Sequence, residues 1–559
     1  MKKLFALLLV AVVVFGLVAC APSAVTRPGG NNSNTTGGGT ENQEVDLTPV
    51  VFPLETQQTL TLSIYTSDGI DEVKKQLEYN VLWQDILRKT NLKIDIKAYN
   101  MSNVASLFQT GAMGDLILCG GSGQDKVFAN FAAQNLMLPL EAYINSKEIM
   151  PNLHQYYLND SAEELASFTF PDGHIYIMGS KGAEKSRVVE GYMWINKTWL
   201  DQAKMDVPET FEELEAALYY FASHDMNGNG IDDEIPYYAC QGDNMGIEYF
   251  MGMWGVSTKD GDYDNYVTVQ DGIVQFVPQM EEWKTMLKKL REWDEAGILF
   301  EGCFTDGARR DLWNVAYGGA VRCGLLPAND IAQVRGSDQY VCMLPVAAID
   351  GVEINWYINP GYMGSKNVFA VPKTSSNAKL ACAFMDLFYD PVISARAYYG
   401  EEGNSLYRVE NADGTFSPNY PTNAQKDAAK YTSKNTFNYI TDHNMNAPSS
   451  GTPENYKPLA EEQRTRDAFA MYEAAGVITD EPWPRPYMDL ADQRKFGELQ
   501  ADLYTLVDEK RAKWVTGVND IDAEWDEFQD DLIAVGADEV VDILQDAYDY
   551  WLENYKGTK

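Results

Sequence analysis

Between residues 59 and 121 the hydrophobic period of the chain switches repeatedly, and this constrains the fold more than any other feature. The segment "TLTLSIYTS" (59–67) alternates apolar and polar positions as a strand does. In "DEVKKQLEYNVLWQDILRKT" (71–90), Val73, Leu77, Val81, Leu82 and Ile86 fall near one helical face. The segment "LKIDIKAY" (92–99) reads as a strand, "SNVASLFQTG" (102–111) as a short helix and "GDLILCGG" (114–121) as a strand. Strand-helix-strand-helix-strand implies a parallel-type sheet flanked by helices, an α/β fold. Open sheets of this kind bind ligands beyond the carboxyl ends of their strands. "CGGSGQD", Cys119 to Asp125, lies at such an end, which makes Asp125 a candidate polar contact. The Walker ending GK[ST] is absent, so the segment is not a phosphate loop.

The 559 residues exceed what one hydrophobic core usually serves, so two or more bodies are expected. The formal charge of -38 repels phosphate backbones and excludes nucleic acid as a partner. The four histidines, His154, His174, His224 and His443, have no metal-ligand spacing on one element, which argues against a multi-histidine zinc or iron centre. Lys2 and Lys3 precede the apolar run 4–18, too short for a comfortable membrane span, and "LVAC" follows. This resembles the lipobox of bacterial lipoproteins and marks Cys20 for lipidation after removal of residues 1–19; an ordinary secretion signal is the alternative. Residues 20–56 begin with a tract rich in Gly, Asn, Thr and Ser that cannot bury enough surface to fold. A flexible leash of about 30 residues reaches roughly 30 Å. The expected location is the outer face of a bacterial cell membrane. The six other cysteines are dispersed without a CxxC; buried free thiols are expected, and disulfide connectivity is not readable.

A second block opens near residue 187. "RVVEGYMWINKTWLDQA" reads as a strand entering a helix, and the next helix starts at Thr210, which with Glu213 forms a capping box. That helix delivers the chain into "DMNGNGIDDE" (225–234). Asp225, Asn227, Asn229, the Ile231 carbonyl, Asp233 and Glu234 place hard oxygen donors at EF-hand-like spacing, with Gly230 at the sharp turn. The bidentate Glu of position 12 is replaced by Pro236, so Glu234 must close the shell. Ca²⁺ in a structural role is expected, and a metal-free acidic turn is the alternative.

The loop, with "IP" after it, resembles that of large bacterial extracellular solute-binding proteins of family 1, notably the subgroup with alginate-binding proteins. "GHIYIMG" (173–179), "MWINKTWLDQAKMDVPETFEELEAAL" (193–218), "VFAVPKTSSNAKLACAFMDLFYDP" (368–391), "YGEEGNSLYRVENADGT" and the segment 514–551 resemble further parts of the family in the expected order. The resemblance implies a two-lobed, hinged, periplasmic-binding-protein-like fold and a monomer that delivers its ligand to the permease of an ABC importer. Lobe 1 is expected at 57–180 plus 360–435 and lobe 2 at 187–355; residues 450–559 are not assigned to a lobe.

With 33 Tyr and 12 Trp, ring stacking on sugar C–H faces is the expected recognition chemistry for an oligosaccharide ligand. Segment position nominates Trp194, Tyr238, Trp254, Trp356 and Tyr362, with Asp125 and Arg310 as polar partners. A secreted glycoside hydrolase or lyase is the alternative from another class, and a peptide binder the alternative within the fold. No GxSxG elbow and no catalytic zinc motif is present. Carboxylate pairs carry no information among 82 acidic residues, and no enzyme activity is expected.

Overall fold

The computed structural model describes residues 45–66, 70–119, 124–158, 165, 168–179, 191–241, 247–256, 266–305, 307, 309–357, 369–390, 393, 396–397, 408–410, 416–418, 460–479 and 486–556. The chain divides into two units, Met1–Val45 and Asp46–Lys559, and the second contains every sheet, helix and apolar cluster named below. Cys20 and Tyr362 lie outside the described residues, as does the side chain of Asp125.

The first sheet is formed by β1 (Gln58–Tyr65), β2 (Leu92–Tyr99), β3 (Leu116–Leu118), β4 (Ile177–Met178) and β12 (Phe369–Ala370), in the order β2-β1-β3-β12-β4. β1 pairs parallel with both β2 and β3, while β12 runs antiparallel to β3 and to β4. The second sheet is formed by β5 (Tyr192–Asn196), β6 (Ile235–Tyr237), β9 (Cys323–Ala328) and β10 (Tyr340–Met343), in the order β10-β5-β9-β6. β6 and β9 are parallel, and β5 opposes both β9 and β10. Each sheet is therefore parallel apart from one reversed strand. Three ladders complete the pairing: β7 (Val267–Gln270) with β8 (Ile273–Phe276), β11 (Trp356–Tyr357) with β15 (Ile478–Thr479), and β13 (Arg408–Glu410) with β14 (Phe416–Pro418).

The period-2 and period-3.6 readings made over 59–121 and in the block from residue 187 agree with the structure, with one difference: the helix expected over 71–90 is two helices, Ile70–Tyr79 and Val81–Thr90. Asn80 is extended, and its side chain accepts the N–H of Trp83 at 2.8 Å, so the second helix starts with its own cap. The capping box at Thr210 forms, with Glu213 N–H donating to Thr210 Oγ1 at 3.2 Å and Thr210 N–H donating to the Glu213 carboxylate at 3.3 Å.

Three apolar clusters accompany the sheets. Two surround the first sheet, drawing on residues 60–178, 369–397 and Tyr487. The third surrounds the second sheet and takes in residues from 192–356 together with 468–551. The C-terminal helices thus share the second core. Trp514 of Leu490–Val515 and Phe528 of Ile521–Val535 are 4.9 Å apart, edge to face, and Trp283 lies within 6.3 Å of both. Cys119, Cys240, Cys303, Cys323 and Cys382 are buried free thiols; Cys342 is free and half-buried.

Asp386, in helix Ala378–Asp386, is buried and accepts the N–H groups of Asn152 and Leu153 at 3.1 and 2.9 Å. Burial pushes its carboxyl up to about 6. The fold then holds this proton more tightly than the unfolded chain does, so the contribution is complete below pH ~4 and is lost as pH rises to about 6. The Tm of the Asp386→Asn variant relative to the parent protein should therefore climb across that window and level off above it. A difference independent of pH would contradict the assignment.

Candidate functional site

The strand registers locate the carboxyl edges of both sheets. In the first sheet β1, β2, β3 and β4 end at Tyr65, Tyr99, Leu118 and Met178, and Phe369 pairs with both Leu118 and Met178. The reversed strand β12 therefore starts at the carboxyl edge. In the second sheet Tyr192 pairs with Ala328 and Met193 with Met343, so the reversed strand β5 likewise starts at the carboxyl edge. The chain leaves β4 for β5 and leaves β10, by way of β11, for β12, so both passages run from the carboxyl edge of one sheet to the carboxyl edge of the other. That is where open sheets bind ligands.

The four tryptophan and tyrosine positions nominated for stacking and described here do not present a ring face there. Trp194, Tyr238, Trp254 and Trp356 are 0–2% exposed and belong to the second core. The chain's own groups occupy the space a sugar would use. The Arg464 guanidinium lies over Trp194 at 5.5 Å, Phe300 stacks on Tyr238 at 5.6 Å, and the rings of Phe211 and Tyr472 meet Trp254 and Trp356 at 5.8 and 6.2 Å. The stacking role is corrected for these residues: Trp194 is on an inner strand of a sheet covered on both faces, and the others fill its flanks. Arg310 is exposed, in the turn Arg310–Leu312, and its carbonyl accepts the Asn314 N–H at 2.6 Å.

Two asparagines not singled out from the sequence stand out instead. Asn329 follows β9 at the carboxyl edge, and Asn355 precedes β11. In each, the side-chain Oδ1 is buried without a hydrogen-bond partner among the described residues. An amide oxygen left so forfeits about 1–3 kcal/mol unless something donates to it. Nothing local in the sequence marks either residue, because the edge exists only once the strands pair.

The acidic loop joins helix Phe211–Ala222 to β6 and closes on itself. The Asp225 carboxylate accepts the N–H groups of Gly228, Asn229 and Gly230 at 2.8, 3.2 and 2.9 Å. Glu234 accepts those of Met226 and Asn227 at 2.9 and 3.1 Å. The side-chain amides of Asn227 and Asn229 both donate to Asp233 Oδ1, at 2.8 and 3.0 Å. Gly228 and Gly230 take φ of 72° and 76°, the left-handed turn the spacing requires. Arg322 pairs with the Asp233 carboxylate at 3.0 Å and donates to its carbonyl at 2.8 Å. Among the described residues no three Asp, Glu, His or Cys side chains are grouped to hold a metal by themselves. The donor set here also draws on amide and backbone oxygens, which suits a hard cation, and all five side-chain donors converge on one turn.

No family model matches the sequence. The chain is 26% identical over 525 residues to the fructooligosaccharide ABC transporter substrate-binding protein FusA of Streptococcus pneumoniae serotype 4, covering 91% of this chain and 93% of that protein. The fold is that of two-domain extracellular solute-binding proteins. An HMO-binding, ABC-transporter-associated solute-binding protein from Bifidobacterium longum infantis superposes with TM-score 0.72 at 20% identity, covering 89% of this chain and 99% of that one. An EF-hand mutant of FusA in complex with fructo-nystose gives 0.70 at 23%, covering 89% and 100%. Alginate-binding protein AlgQ2 without calcium ion gives 0.62 at 16%, covering 89% and 99%. FusA and the Bifidobacterium protein are ABC-transporter substrate- or solute-binding proteins, not enzymes.

Gly252 lies against the start of β11. A Cβ added there would sit 2.4 Å from the Trp356 ring and 2.5 Å from the Asn355 carbonyl. Gly252→Ala should cost about 1–3 kcal/mol by overpacking, read as a lower urea midpoint with unchanged slope; full retention of stability would show that this junction yields freely.

Proposed function

We propose that the protein captures an oligosaccharide at the carboxyl edges of its two sheets and delivers it to the permease of an ABC importer. The observation that carries this reading is the likeness along nine-tenths of the chain to a substrate-binding protein of such a transporter. The edge geometry supports it: two unsatisfied amide oxygens, on Asn329 and Asn355, await donors of the kind sugar hydroxyls supply. The protein works as a lipoprotein held at Cys20 on the outer face of the membrane, as a monomer, with lobes at 57–180 plus 360–435 and at 187–355. The C-terminal helices, whose core is shared, belong with the second lobe. Asp125, Arg310 and Tyr362 remain candidate ligand contacts. The strongly acidic body favours a neutral sugar over a uronic-acid polymer.

Calorimetric titration with neutral fructo- and gluco-oligosaccharides, uronic-acid oligomers and peptides tests the reading. Binding of a neutral oligosaccharide of two or more units is expected, and Asn329→Ala should weaken it by about fivefold or more while the fold, judged by circular dichroism, persists. Binding of peptides alone would overturn the sugar assignment.

The loop 225–234 holds Ca²⁺ through Asp225, Asn227, Asn229, the Ile231 carbonyl, Asp233 and Glu234. The carboxylates and amides already converge there, and the EF-hand described for FusA supports the reading. A cation that binds only the folded chain raises Tm by mass action. Chelator should lower Tm and added Ca²⁺ restore it, with Asp225→Ala insensitive to both. Identical melting of the parent protein with and without chelator, and no calcium in the purified protein by elemental analysis, would exclude the ion.

A further inference from the structure

The helices that follow the strands of the first sheet take opposite faces of it, and the change of face falls between β1 and β3. After β1 the chain forms Ile70–Tyr79 and Val81–Thr90, whose Leu77, Trp83 and Ile86 share an apolar cluster with Leu62 and Ile64 of β1. After β3 it forms Gln124–Ala133, whose Phe128 and Phe131 share the other cluster with Tyr99 and Ile117. β1 and β3 are parallel neighbours, with Ile64 opposite Leu118. Adjacent strands whose following helices lie on opposite faces leave a crevice beyond their carboxyl ends, and open α/β sheets seat ligands in that crevice.

Tyr65 ends β1 at this point. Alternation along the strand turns Ile64 toward the first cluster and Tyr65 toward the second. Its register partner, Tyr99 at the end of β2, is buried and locked: the Tyr99 hydroxyl donates to the Leu118 carbonyl at 3.0 Å, and its ring meets Phe128 edge to face at 6.3 Å. Tyr65 meets Tyr99 edge to face at 5.6 Å, a geometry that covers at most one face of the Tyr65 ring. Among the described residues no other ring or cation meets Tyr65, and its hydroxyl has no hydrogen-bond partner. The residue is half-buried, whereas Trp194, Tyr238, Trp254 and Trp356 are enclosed. A ring with a firm apolar backing, an uncovered face and an unused polar tip is what a sugar unit needs: its C–H face lies on the ring and one of its hydroxyls meets the phenol.

We propose that Tyr65 is the platform on which one unit of the oligosaccharide stacks, in the crevice beyond β1 and β3. This rests on the reading that the protein captures a neutral sugar, and it names the side chain that recognises the apolar face of that sugar. Tyr99 beneath it acts as a positioning residue: its hydroxyl bond to β3 and its contact with Phe128 fix the wall against which Tyr65 leans, so little side-chain freedom is lost when the sugar arrives. An aliphatic side chain of similar bulk would keep the packing against Tyr99 and lose the flat face.

The test titrates the protein and three variants with the neutral fructo- and gluco-oligosaccharides by calorimetry and follows melting in parallel. Tyr65→Ala should raise Kd by about fivefold or more for whichever of these sugars binds the parent protein. Tyr65→Leu should raise it as much while its Tm stays near that of the parent, an outcome that a purely structural role would not produce. Tyr65→Phe keeps the flat ring and should stay within about threefold of the parent. A parent-like Kd in Tyr65→Leu would show that the residue only packs, and would overturn the platform while leaving sugar capture standing. A loss in Tyr65→Phe as large as that in Tyr65→Leu would also overturn it, by assigning the contact to the hydroxyl. A parent protein that binds none of these sugars would overturn sugar capture itself, and the platform with it.

Discussion

The polarity of two strands governs the rest of the molecule. A chain that leaves one sheet at its carboxyl edge and enters another at the carboxyl edge must run down the second sheet against its neighbours. β5 and β12 are those strands, and each is the reversed member of its sheet. Had either passage joined a carboxyl edge to an amino edge, its strand would be parallel and the two carboxyl edges would not be linked by it. The reversals therefore show, from hydrogen-bond register alone, which edges the passages join.

Much of this was legible beforehand in the sequence. The alternation over 59–118, the Thr210 capping box and the self-closing loop at 225–234 all depend on residues close together in the chain, where periodicity and turn chemistry act directly. The break at Asn80 escaped because the apolar positions on either side keep helical spacing; only the asparagine's capping bond separates the two helices. The place of the C-terminal helices escaped for a different reason. Their assignment is made by contacts such as Trp283 with Trp514, 231 positions apart, which no local pattern encodes.

The aromatic segments show how composition misleads about a site. Tyrosine and tryptophan are plentiful here, and clusters of them near expected strand ends invited a stacking role. A sheet covered on both faces needs large apolar fillers too, and that need consumed Trp194, Tyr238, Trp254 and Trp356. Their polar atoms report the same demand: the indoles of Trp194 and Trp356 donate to the carbonyls of Ala328 and Gly191, which bind strand to strand. Among the described residues the Asn329 and Asn355 side-chain oxygens lack partners, on residues unremarkable in sequence, as does the Trp254 indole N–H.

The position of the acidic loop also argues for what it does. Glu234 is followed at once by β6, whose amino end receives the loop and whose carboxyl end, Tyr237, lies only three residues on. At about 3.3 Å per residue, the loop sits roughly 10 Å from the carboxyl edge along this strand. That places the loop where it fixes how β6 enters its sheet without reaching the opposite edge. Arg322, one residue before β9, grips Asp233, so the loop braces the β6–β9 register at the amino edge of the sheet. Rigidity supplied at that end is carried along the β6–β9 ladder toward Ala328, and Asn329 beyond it.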